Sequence, residues 1–352
     1  MMRHLLILSC VVVAGVAVAS TPVSASKPAR AVKPTQASRA VPPCQPQAPE
    51  RKVFPQGTLL WGTGRKDERS ETSSILASVD LGRMKFGKNA VEGLRLEEGR
   101  LVSSSRKPEE LVGAVLQGRS SDGASVEVAL CGAEAAPGDP SMMWYRIQIW
   151  DAERSSWENP CVGTLRVPSP RVLAVPGVWD ARGARHEESG QFTFACENGA
   201  IAKCIGWGYK PWGQKEGQPL HELHQACTRM ARADYCGDGR SHTREDTPID
   251  MYDGLAVLTR AKVAAGGWEP ALASFEAAWT AEGAWCLSRT RDGSAVERIL
   301  EECPERFEAG EKDLGEGDRC TLLRKGERAD AVLLRNRSYE KSVQRSAPRS
   351  TP

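Results

Sequence analysis

Several residues in this 352-residue chain are of the types, and nearly at the spacings, that do chemistry. His221-Glu222-Leu223-His224 is close to the pattern of a zinc peptidase. That chemistry needs two histidines four apart, so that both reach one metal from one helix face with Glu between them, and here Gln225 stands where the second would be. A few residues on, Asp234, Asp238, Gly239 and Glu245 occupy positions one, five, six and twelve of a calcium loop. Cys236 and Ser241 fill two positions where such a loop has an oxygen ligand and an apolar residue. A different divalent-ion site built from Asp234, Asp238, His242 and Asp246 is the oxygen-rich alternative. Cys236 with His242 as its base would make a thiol nucleophile, provided the thiol were reduced and exposed. Trp207, Tyr209 and Trp212 supply the flat apolar faces on which a sugar ring could stack, with Trp212, after Pro211, as the ligand candidate. No glycine-rich phosphate loop, nucleophile-elbow serine or dinucleotide fingerprint occurs.

The cysteines weigh against the thiol reading. The chain has 11, and one of them, Cys10, falls inside an N-terminal stretch with the layout of a secretory signal. Met1-Met2-Arg3-His4 is short and positive, Leu5 to Ala19 is almost wholly apolar yet too short to span a bilayer, and Val23-Ser24-Ala25 offers a small-x-small cleavage site before Ser26. Lipidation at Cys10 fits poorly, because most of the apolar stretch lies behind that residue. Cleavage leaves an even set: Cys44, Cys131, Cys161, Cys196, Cys204, Cys227, Cys236, Cys286, Cys303 and Cys320. With no Cys-x-x-Cys spacing, such a set in an exported chain reads as disulfides.

The elements that must position these residues follow from periodicity. From Ser26 to Lys52 the chain is rich in Pro and Ala without apolar periodicity, which reads as a disordered linker. Residues 53–178 favour strands: a hairpin over 91–102 with Gly99 in its turn, runs at Val112–Gln117 and Ser125–Leu130, an alternating segment at Trp144–Trp150, and Val172–Val178. A small sandwich- or barrel-like domain is expected, with Cys131 and Cys161 placed to close the loop around Trp144. Next, Gln191–Cys196, Asn198-Gly199 and Ile201–Tyr209 read as a β-hairpin around an Asn-Gly turn. In that register Cys196 and Cys204 point to opposite faces and cannot pair with each other.

Leu220 to Asp234 is the clearest helix. Leu223, His224, Cys227, Met230 and Ala231 form its buried stripe, with Glu222, Gln225, Arg229 and Arg232 facing out. Cys227 is thereby available to a hairpin cysteine. Leu255–Ala265 and Pro270–Ala281 also look helical, Ala329–Leu334 extended, and a polar disordered tail is expected over 337–352. The fold class is therefore α+β: a β-rich N-terminal domain, a disulfide-stapled hairpin-plus-helix region over 179–336 with a mixed C-terminal segment, and disordered ends.

Ala233-Asp234-Tyr235-Cys236, with Cys227-Thr228-Arg229-Met230 before it and Gly237-Asp238-Gly239-Arg240-Ser241-His242-Thr243 after it, resembles the ADYC domain family of uncharacterised exported bacterial proteins. The resemblance runs from about Trp179 to Asp253 and implies no activity, fold or cofactor that could be carried over. The net charge of +2, with both signs interspersed, gives no footprint for nucleic acid and no membrane-surface helix, and the mature chain is expected to lack a transmembrane segment. The expected protein is a non-catalytic binding or scaffold module of the periplasm, cell surface or exterior, with envelope or extracellular components as its partners and no cofactor. Its rival is a hydrolase-like enzyme, metal-dependent or not, using Asp238 and His242 in the polar segment after the tetrapeptide.

Overall fold

The computed structural model describes residues 42–46, 58–67, 70–243, 247–264, 268–326 and 328–339. The proposed signal sequence and Asp246 lie outside the described residues. The chain is β-rich with three α-helices among the described residues. Six strands close into an antiparallel barrel. Going round the ring, Ser78–Phe86 pairs with Gln191–Cys196, then come Val172–Pro176, Asp139–Asp151, Ser125–Ala136 and Val115–Arg119, which pairs back to Ser78–Phe86. Closure leaves this part of the sheet without an exposed edge. Alternation along the strands sends Val79, Leu116, Val128, Tyr145, Phe192 and Phe194 inward, where Leu101 of the 95–102 hairpin plugs one end. The Leu101 N–H donates to the Tyr145 hydroxyl at 2.7 Å.

The last barrel strand is where the sequence reading fails first. Gln191–Cys196 forms no hairpin: Gly199 instead begins a helix, α1, over Ala200–Gly206. Ile201 and Ile205 stand four apart, so the same apolar letters fit a helix as well as a strand. The deciding contacts come from far away in sequence, since Leu59 and Leu60 carbonyls accept the Ala200 and Ile201 amides that a helix start leaves unpaired. Gly199 and the 61–62 backbone approach so closely that a Cβ at 199 would stand 2.6 Å from the Trp61 carbonyl carbon.

The second helix, α2, spans His221–Arg232. It is buried on more sides than its pattern indicated: Gln225, Arg229 and Arg232, expected outside, are 2–6% exposed. The 178–186 hairpin covers that face, with the Trp179 indole donating to Gln225 Oε1 at 3.0 Å and Gln225 Nε2 donating to Gly183 O at 2.8 Å. On another side α2 packs on a six-stranded antiparallel sheet whose order is Ile249–Asp253, Leu334–Tyr339, Ala273–Thr280, Gly283–Leu287, Arg319–Arg324, Phe307–Asp313. A continuous apolar core therefore runs from the outer wall of the barrel (Leu173, Val175, Ala195) through α1 and α2 to Ala277, Trp279 and Leu287 of the sheet.

The structure departs from three further expectations. The segment read as helix at 270–281 is a short 3-10 turn, Pro270–Leu272, followed by the strand Ala273–Thr280, and no helix forms over 255–264. Both faces of that strand are covered, so its apolar letters carry no period of two. The extended segment near 329–334 begins with a 3-10 turn, and its strand, Leu334–Tyr339, runs three residues into the part read as tail. Arg337 is buried there because Asp250 of the neighbouring strand meets it at 2.7 Å. Finally, Cys131 and Cys161 do not pair. The ten cysteines form Cys44–Cys131, Cys161–Cys196, Cys204–Cys227, Cys236–Cys303 and Cys286–Cys320. Cys196 and Cys204 do bond elsewhere, Cys204 tying α1 to α2, but through a helix and not through opposite faces of a hairpin.

Candidate functional site

The Ala-Asp-Tyr-Cys tetrapeptide terminates α2, and each of its residues has a structural partner. Ala233 adopts the left-handed conformation (φ 52°, ψ 43°). Its N–H donates to Met230 O, and that of Asp234 donates to Arg229 O, the paired bonds of a Schellman cap. The Asp234 carboxylate then accepts the amides of Gly237 (2.9 Å), Asp238 (3.1 Å) and Gly239 (3.0 Å) and the Arg229 guanidinium (2.6 Å). Its oxygens are thus directed at the turn itself. Gly237 (φ 71°) permits this turn against the sheet, because a Cβ there would overlap the Glu282 carbonyl oxygen.

Tyr235 stacks on Trp279 with ring centroids 5.4 Å apart. Its hydroxyl donates to Glu276 Oε1 at 3.1 Å and accepts the Arg291 N–H at 2.8 Å. Burial, reinforced by the Glu276 charge, holds this phenol well above its ordinary range. Glu276, in the middle of the sheet, makes a two-pronged ion pair with Arg291, Nε to Oε2 at 3.0 Å and Nη2 to Oε1 at 2.8 Å. Burial alone would raise the Glu276 carboxyl, but Arg291 outweighs it and holds the group below its usual value. The same guanidinium donates to Met230 O (2.8 Å), which also takes the Ala233 amide, and to Ala231 O (3.2 Å), a carbonyl that the end of α2 leaves without an amide of the helix. Cys236 completes the clasp through its bond to Cys303 at the end of the third helix, α3, Val296–Glu302.

The sequence-selected residues are only partly brought together. His242 is 4% exposed; its Nδ1 donates to Ala233 O at 3.1 Å and its Nε2 lies 2.9 Å from Glu302 Oε2. Burial pushes the Glu302 carboxyl up, while the His242 hydrogen bond and the adjacent Arg298 and Arg240 bring it below its usual value. Asp238 is half-buried and accepts the Arg240 N–H at 3.0 Å. Among the described residues no three His, Cys, Asp or Glu side chains are grouped to hold a metal ion. His221 and His224 do not converge: His224 is fully buried, its Nε2 donates to Ile201 O at 3.1 Å, and burial pushes its pKa down to about 3. The three aromatics form no common platform. Tyr209 is core, its hydroxyl donating to Asp253 at 3.0 Å, and Trp212 lies over Gly99 of the 95–102 hairpin.

Trp207 is different, since it lines a cleft of about 250 Å³ beside the clasp. Thr164, Glu197, Asn198, Lys203 and Arg291 share that lining. Lys203 Nζ donates to Thr58 Oγ1 at 2.9 Å, and Glu197 is ion-paired with Arg171 at 2.8 Å. Sequence reasoning passed over Glu197, Lys203, Glu276 and Arg291 because isolated charged letters look like solvated surface.

Fold and site together define a disulfide-stapled α+β protein in which a closed barrel and an open sheet are joined through a capped, buried helix. The family model of the ADYC domain matches residues 108–293, more than half of the chain, and the chain belongs to that family. No curated protein and no solved structure matches it. No helix among the described residues is long and apolar enough to cross a membrane.

Proposed function

We propose that the chain is an exported protein of the bacterial envelope or exterior that acts as a non-catalytic binding or scaffold module, with the Trp207 cleft as its small-ligand surface. The observation that carries this reading is the saturation of the tetrapeptide region. Asp234, Tyr235, His242, Glu276 and Arg291 each make two or more hydrogen bonds or ion pairs within the protein, whereas a general acid, base or nucleophile must keep an atom for its substrate. The cleft pairs one indole wall with threonine, asparagine and lysine groups, the lining that suits a small polar ligand.

The test has two parts. Protein recovered from cell fractions is weighed unreduced: export with full oxidation predicts a chain lacking residues 1–25 and ~10 Da lighter than its fully reduced form, from five disulfides. Cytoplasmic full-length protein with free thiols would overturn the export reading. The mature protein is then offered ester, peptide and glycan substrates. Turnover that Asp238→Ala abolishes without unfolding the chain would replace the binding module with the hydrolase-like enzyme.

A further inference from the structure

The five disulfides are unequal in their access to solvent. Eight of the cysteines are 9% exposed or less, while Cys44 and Cys131 are both half-buried and line an open cleft of about 670 Å³ at one side of the barrel, whose rim Cys161, 9% exposed, also reaches. Cys44 belongs to the short segment 42–46. That segment is fastened to the barrel strand Asp139–Asp151 by one side chain: the Cys44 N–H donates to Gln148 Oε1 at 2.7 Å, and Gln148 Nε2 donates to Gln45 O at 2.8 Å. Covalently it is fastened to the adjacent strand, Ser125–Ala136, through Cys131. Cys44 also has φ 69°, a left-handed backbone that is unfavourable for a non-glycine residue and that release would relieve.

We infer that Cys44–Cys131 is a reducible clasp, and that a dithiol reductant opens it selectively and frees the 42–46 strap while the folded barrel and sheet stay intact. One thiolate of the dithiol attacks a sulfur of the pair; the Cys44–Cys131 bond breaks as a mixed disulfide forms, and the displaced cysteine takes up a proton. The second thiol of the reductant then displaces the protein sulfur, which is protonated in turn. Two electrons and two protons pass to the protein, and the reductant leaves as its own disulfide. In the other four pairs both cysteines are 9% exposed or less, and Cys161, at the cleft rim, is bonded to the fully buried Cys196, so a thiol attacks them only when the surrounding structure opens. Once reduced, the hydrogen bonds that hold the strap to the other described residues are the two to Gln148, too few to hold a five-residue segment against its chain entropy. Arg146, Arg154, Glu158 and Asn159 across the cleft are then open from the strap side.

The experiment uses the full oxidised chain in native buffer with graded dithiothreitol, an iodoacetamide quench and peptide mapping, followed by amide exchange on the partly reduced product. Cys44 and Cys131 should be alkylated at least ~10-fold faster than any of the other eight cysteines. The Cys44 amide should lose its protection while strands 78–86 and 191–196 keep theirs. C44S combined with C131S should reproduce that exchange pattern without reductant, with the thermal transition still cooperative. Alkylation of a buried pair first or at the same rate, opening only together with global unfolding, or a Cys44 amide still protected after reduction would each overturn the clasp.

Discussion

The barrel and the α2–sheet interface are held by opposite means. Inside the barrel, Val79, Leu116, Val128, Phe192 and Phe194 meet one another, and the Tyr145 hydroxyl among them accepts a backbone amide. Between α2 and the sheet, the buried residues include Glu276, Arg291, Arg229 and Asp234, paired at 2.6–2.8 Å. Apolar packing is non-directional and forgiving of single exchanges of similar volume. A buried ion pair is less tolerant: both charges have lost water, so either one alone is costly, and its geometry selects one docking of helix on sheet. The ADYC tetrapeptide thus marks the junction between layers rather than a reacting centre.

The largest effect comes from cutting the chain to the span of the family match. Residues 108–293 lack Ser78–Phe86, which closes the barrel, Leu334–Tyr339 from the middle of the sheet, and Cys303, the partner of Cys236. That fragment should show no cooperative thermal transition, and a cooperative one would mean that the two layers do not depend on each other.

Next in size is Glu276→Ala, which strands the Arg291 charge in the interior and should destabilise by ~3–5 kcal/mol in denaturant titrations. Phe194→Ala in the barrel should lose a similar ~3–5 kcal/mol. The two differ in rescue. Combining Glu276→Leu with Arg291→Met restores part of the first loss but takes the guanidinium from the buried Ala231 carbonyl at ~1–3 kcal/mol, while Met230 O keeps the Ala233 amide. Full recovery by that double variant would show that the guanidinium does not cap α2.

Acid should separate the regions with a smaller effect. The Glu276 and Glu302 carboxyls are held below the 4.5 of an unstructured chain. Their contribution is therefore complete above that value and is lost as the pH falls through their depressed folded values. Amide exchange in Ala273–Thr280 and α3 should rise ahead of that in the barrel strands below about pH 4. Simultaneous loss in both would place the acid-sensitive carboxylates elsewhere.

The smallest change is Ala233→Gly. The left-handed cap favours glycine by ~1 kcal/mol, from which the greater freedom of the unfolded chain and the lost methyl packing subtract, so a gain of up to ~0.5–1 kcal/mol in stability is expected. A loss would mean that the buried methyl outweighs the backbone preference.

Much of the barrel was legible. The 91–102 hairpin and the strands near 115, 125 and 144 stand where alternation puts them, and α2 and the 172–176 strand stand where three-four spacing and a continuous apolar run put them. Legibility fails where an element is covered on both sides: Ala273–Thr280, α1 and the far face of α2 present apolar or polar letters on every side, and period then carries no information. The site was legible only as a location. The tetrapeptide and His242 stand out in the sequence, but the partners that give them a role carry no local pattern: Glu276 and Arg291 lie 41 and 56 residues from Tyr235 along the chain, and Glu302 lies 60 from His242.

By itself, then, the sequence determined what depends on neighbours along the chain: family membership through the tetrapeptide, the oxidised cysteine set, the alternating barrel strands and the amphipathic helix. The tertiary structure decided what depends on distant segments meeting. Whether 200–206 coils or extends is set by the carbonyls of Leu59 and Leu60, which cysteine meets which is set by strand order, and whether Asp234 and His242 are reactive or structural is set by the charges brought against them. The physical reason is that backbone amides, thiols and buried charges must each find a partner, and a chain of this length finds most of those partners only after it has folded.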